Sequence, residues 1–134
     1  MVTKHISKNN VVDSTVMWSD EEIPVFNEIH IGINRVLQLI ISIERTDTDN
    51  PQYNCCTFAK LSADETLRLA RRLKVPTLKL PSYISCHIDA WDDIEKPSLS
   101  NTRECFKEIT ERLLDEGCHF QIKRISGAND YICY

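Results

Sequence analysis

The stretch that decides the fold is Tyr53–Pro76, Y-N-C-C-T-F-A-K-L-S-A-D-E-T-L-R-L-A-R-R-L-K-V-P. It begins as a strand and turns into a helix at Ser62. Ser62 is a favourable N-cap, and Glu65 three residues on completes the sequence pattern of a capping box. Asp64 and Glu65 fall at the positive end of the helix dipole, and Arg71, Arg72 and Lys74 at the negative end. Leu67, Leu69, Ala70 and Leu73 recur on one side at helical spacing. Pro76 forces Val75 out of the helical region and stops the helix.

Outward from this unit, upstream segments alternate with the period of two expected of strands. Ile29, Ile31 and Ile33 share one face, as do Leu37, Leu39, Ile41 and Ile43, so a hairpin turning at Asn34-Arg35 is predicted without a central glycine. Val11–Trp18 reads as a weak additional first strand, Trp18–Pro24 as an acidic turn, and Thr46–Gln52 as a loop. Downstream, Ser82–Trp91 alternates as a strand: Ile84, Cys86, Ile88 and Ala90 on one face, Tyr83, Ser85, His87, Asp89 and Trp91 on the other. A second helix is predicted from Asn101 to Glu116, with Phe106, Ile109 and Leu113 inward and Gly117 just past its end. Cys118–Ile125 and Tyr131–Tyr134 read as a closing hairpin. The expected order is β-β-β-α-β-α-β-β. That is an α+β fold: a mostly antiparallel sheet of five to seven strands with two helices packed on one face.

With 134 residues, the chain is long enough for one core in a single domain. Residues 1–10 read as a frayed N-terminus and 11–134 as the domain. The opening decapeptide lacks an apolar leader core, and the most apolar run, Val36–Ile43, is too short to span a bilayer. The expectation is a cytoplasmic protein with no membrane partner. The six cysteines include no C-x-x-C pair. Cys55 and Cys56 are adjacent and point to opposite strand faces, so reduced thiols filling space are expected.

Sequence chemistry excludes more than it offers. No glycine-rich nucleotide loop, nucleophile elbow or H-E-x-x-H motif is present, and the three glycines are isolated. Cys86-His87 and Cys118-His119 are each adjacent residues, a spacing that splits the pair across a strand, so no metal and no cofactor is expected. His87 and Asp89, with Ser85, form the best catalytic pattern. A straight strand, however, supplies neither oxyanion donors nor an elbow.

The formal charge of −4 conceals an asymmetry. Lys60–Lys79 carries six bases against two acids, and Asp89–Glu116 nine acids against four bases. Such a separation steers partners. Glu104, Glu108, Glu111 and Asp115 form an acidic ridge along the outer side of the second helix, and Trp91, Asp92, Asp93 and Glu95 extend it. Asp115 and Glu116 lie at a helix end that disfavours anions. The reading is a non-catalytic protein-binding module that inhibits or neutralises a basic partner, one that processes nucleic acid being the natural example. By analogy of size and acidity alone, immunity proteins and phage-borne inhibitors such as anti-CRISPR proteins are of this kind. Two alternatives stand beside it: a nucleic-acid-binding module using Arg68, Arg71 and Arg72, and a small enzyme using the His87/Asp89 face. A solvated face that only keeps the chain soluble accounts for the same carboxylates.

Overall fold

The computed structural model describes residues 10–22, 25–47, 49–86, 99–126 and 130–131. Six strands form one sheet in chain order, each antiparallel to the next: β1 (Asn10–Glu22), β2 (Val25–Asn34), β3 (Leu39–Asp47), β4 (Cys55–Lys60), β5 (Gln121–Ser126) and β6 (Asp130–Tyr131). Between β4 and β5 the chain makes α1 (Ala63–Leu73), α2 (Leu80–Cys86) and α3 (Leu99–Asp115). The fold is α+β, as the alternation and the two helical periods predict.

The helices cover one face of this meander. Ile29, Ile31 and Ile33 of β2, Leu39 and Ile41 of β3, and Ala59 of β4 are fully buried there. They pack with Leu69 and Ala70 of α1, Leu80 of α2, and Cys105, Phe106, Ile109 and Leu113 of α3. At roughly 1.5–3 kcal/mol for each fully buried large aliphatic side chain, this layer is the principal stabilising term. The opposite face carries a smaller buried cluster of Ile40, Cys56 and Phe58, beside buried His30, Ser42 and Glu44.

Three expectations are corrected. The first strand runs through the predicted acidic turn to Glu22, with register shifts at Asn10/Val12, Thr15/Met17 and Asp20/Glu22. Irregularities of this kind twist an edge strand away from further pairing. The turn between β2 and β3 spans residues 35–38 rather than lying at Asn34-Arg35 alone, so Leu37, expected on the strand face, falls in the turn and β3 starts at Leu39. Asn34 Oδ1 accepts from Val36 N (3.1 Å) and Gln38 N (2.9 Å), while Leu37 takes the left-handed conformation at φ 63°. The side chain of Asn34 thus does what a central glycine would otherwise do.

The third correction concerns Ser82–Trp91. Its described part is helical, in α2, not a strand. Leu80, Tyr83 and Ile84 stand at i, i+3 and i+4, and Pro81 sits in the first turn, where its missing N–H is tolerated. Leu80 is fully buried and Ile84 packs against the core. α2 lies over β1 and β2, and α3 over β1 to β3, so three α-helices rather than two are found among the described residues.

Candidate functional site

α1 begins as its sequence dictates, with Ser62 Oγ accepting from Glu65 N at 3.2 Å. The reciprocal half of the expected capping box is replaced. Glu65 Oε1 instead accepts from His119 N (2.7 Å) and from Arg68 Nη2 (2.8 Å). Arg68 Nη2 also donates to Gly117 O at 2.6 Å, and Arg72 Nε donates to Glu116 Oε1. Two of the three arginines offered for nucleic acid therefore tie α1 to the end of α3. Arg71 stays exposed. The anion at the unfavourable end of α3 has its compensation here: Arg72 faces Glu116, and Arg68 faces the terminal carbonyl of Gly117.

Along α3 the inward side chains are buried and the ridge faces outward. Glu104, Glu111 and Asp115 are exposed and Glu108 is half-buried. Cations interleave with them: Lys107 Nζ lies 3.9 Å from Glu111 Oε1, and Arg112 Nη2 lies 3.7 Å from Glu108 Oε1. Such exposed i,i+4 pairs are weak, about 0.3–0.5 kcal/mol, and leave the carboxylates accessible. Among these charges Leu114 is 58% exposed. His87, Asp89, Trp91, Asp92, Asp93 and Glu95 lie outside the described residues. Ser85, the hydroxyl of the catalytic pattern, sits in α2 and donates to Ser82 O at 2.9 Å.

Cys55, Cys56, Cys86, Cys105 and Cys118 are reduced thiols outside any disulfide, with Cys56, Cys105 and Cys118 buried and Cys86 exposed. The Cys105 thiol is pushed up to about 11, first by burial and then by the neighbouring Glu108 carboxylate. Burial likewise raises the Cys118 thiol, with Glu65 adding to it. Raised thiols are poor nucleophiles and poor metal ligands at neutral pH. Among the described residues, no three His, Cys, Asp or Glu side chains converge as a metal site.

A concave site emerges where sequence reasoning proposed none. On the helix-bearing face of the sheet, the register aligns Asn27 with Arg45 and Arg45 with Cys55. One step along, it aligns Ile43 with Thr57 and Thr57 with Arg124. α3 brings Arg103 and Phe106 to the same place, and the short helical turn Pro51–Tyr53 brings Tyr53. Together these nine residues line a cleft of about 540 Å³. Arg45, Arg103 and Arg124 come from separate elements, and no local motif joins them; only the strand register would have found them. No protein-family model, curated protein or solved structure matches this chain. Among the described residues no helix is long and apolar enough to cross a membrane.

Proposed function

We propose that the protein is a small binding module without catalysis, which inhibits or neutralises a protein partner bearing a basic surface. The reading is supported by the outer side of α3, where Glu111 and Asp115 stand in solvent beside an exposed Leu114. An apolar side chain set among accessible carboxylates offers a desolvated contact with a charged rim, the usual anatomy of a recognition patch. Trp91, Asp92, Asp93 and Glu95 belong to this proposal on sequence grounds. The nucleic-acid alternative is less well supported, since Arg68 and Arg72 have partners within the molecule.

The test uses immobilised protein and a lysate of the native host at low and high salt, scored for protein and for nucleic acid. A retained basic protein, released by salt and bound about tenfold more weakly by Glu111→Lys/Asp115→Lys, is the expected result. Equal retention by the double variant, or retention of nucleic acid alone, overturns the reading.

A further inference from the structure

We propose that the outer flank of α1, carrying Leu67, Arg71 and Lys74, docks on the acidic ridge of α3 in a second copy of this chain. At 100° per residue these three side chains fall within about 60° of one another, and about 100–160° around the helix from Arg72, which faces Glu116. Leu67, grouped by helical spacing with the inward Leu69 and Leu73, is instead 42% exposed. Arg71 and Lys74 are exposed too, and among the described residues neither side chain has an ion-pair partner. The turn after α1 repeats the combination, with Leu78 exposed beside exposed Lys79. Asp64 stands at the other end of the helix, where the dipole favours an anion.

The surface that fits this flank is on the same molecule. On α3, Leu114 stands in solvent together with Glu104, Glu111 and Asp115. Among the described residues Glu104 and Asp115 have no ion-pair partner, and Lys107 reaches Glu111 only at 3.9 Å. Each helix thus sets an exposed leucine among charges that its own copy leaves unneutralised, positive on α1 and negative on α3. Apposing the two buries apolar surface at the centre and brings unlike charges together at the rim, the general anatomy of a specific interface. Within one copy the same pairing operates between Arg72 and Glu116. Arg71 and Lys74 lie around α1 from that contact and remain for one between copies. The inference shares the ridge with the protein-partner reading and rests on it for that one surface, so a second copy and a basic partner compete there.

Sedimentation velocity from micromolar to submillimolar concentration, at low and high salt, tests the proposal. The expected mass rises above that of the monomer with concentration and returns to it as salt screens the contact. Arg71→Glu/Lys74→Glu and Glu111→Lys/Asp115→Lys should each weaken self-association by about tenfold or more, with native helix content by circular dichroism. Mixing the two variants should restore it, because inverted flank then meets inverted ridge. Arg71→Gln/Lys74→Gln places no anion at the negative end of α1, and should show the same loss if the glutamates disturb the helix. A monomer at every concentration overturns the proposal, as does unaltered association in both variants or a mixture that fails to associate. The flank variants keep the ridge and should still retain a basic protein from lysate. A ridge variant that loses lysate binding but self-associates as before sinks this inference and leaves the partner reading standing. Self-association by the expected pairing, with no basic protein retained, does the reverse.

Discussion

Lys74 and Leu37 are the non-glycine residues held at positive φ among the described positions, at 58° and 63°. Lys74 closes α1: its N–H reaches the carbonyls of Ala70 and Arg71, and Val75 N donates to Ala70 O at 2.9 Å. α3 ends the same way, with Gly117 at φ 81° and Cys118 N donating to Leu113 O at 3.0 Å. Nature has placed a glycine at one of two equivalent positions. A left-handed conformation costs a side-chain-bearing residue about 1–2 kcal/mol, offset in part by glycine's greater freedom when unfolded. Lys74→Gly and Leu37→Gly are each expected to raise unfolding free energy by roughly 0.5–1 kcal/mol in urea denaturation. A loss of stability in either would mean that its side chain contributes packing that outweighs backbone strain. Gly117 was legible in the sequence as a helix end. Lys74 was marked only indirectly, by the proline two residues later.

At the scale of elements, α1 is tied to the sheet by a fully buried hydroxyl as well as by the packing of Leu69 and Ala70. Thr66 Oγ1 donates to Ser62 O at 2.8 Å and accepts from Leu39 N at 2.9 Å, at the first residue of β3. Thr66→Val keeps the shape and removes both bonds, leaving a buried N–H without an acceptor. The expected loss is about 1–3 kcal/mol, read as a lower urea midpoint with an unchanged slope. Thr66→Ser should retain most of the stability. The helical moment of α1 was plain in the sequence, yet nothing there singled out Thr66 from a polar face. The strands β2, β3 and β4 were legible because each buries alternate residues against the helices. α2 was not, because the period-two pattern of Ile84, Cys86, Ile88 and Ala90 concealed the Leu80, Tyr83, Ile84 spacing that packs it. Short apolar segments fit either period, and tertiary contact decides between them.

For the whole molecule, charge separation along the chain does not survive intact as an external dipole. Basic α1 and the acidic end of α3 meet, through Arg68 with Gly117 O and Arg72 with Glu116. The buried thiols set a whole-molecule property as well. Because native Cys105 holds its proton up to about 11, against an ordinary thiol near 8.5, the folded state binds more protons than the unfolded state between those limits. Stability should therefore be full below about pH 8.5 and fall as pH rises through 11, by roughly 1–3 kcal/mol. Urea midpoints measured from pH 8 to 11 check this, and Cys105→Ala should flatten the decline; a midpoint independent of pH would contradict it. The cleft between the sheet and α3, too, belongs to this scale. Its lining residues come to one place only when strand register and helix placement are both fixed, and no linear pattern foretells that.

The meander has one seam unlike the others. β1 to β4 follow one another closely along the chain, whereas β5 reaches β4 only after the entire helical insert. Arg45 stands on the early side of that join, Arg124 on the late side, and Arg103 on the insert itself. Pairing β5 to β4 closes a much longer loop than any of the hairpins, so these contacts carry the largest cost in chain entropy. Hairpins should therefore assemble first and this seam last, which makes it the step that limits the rate of folding.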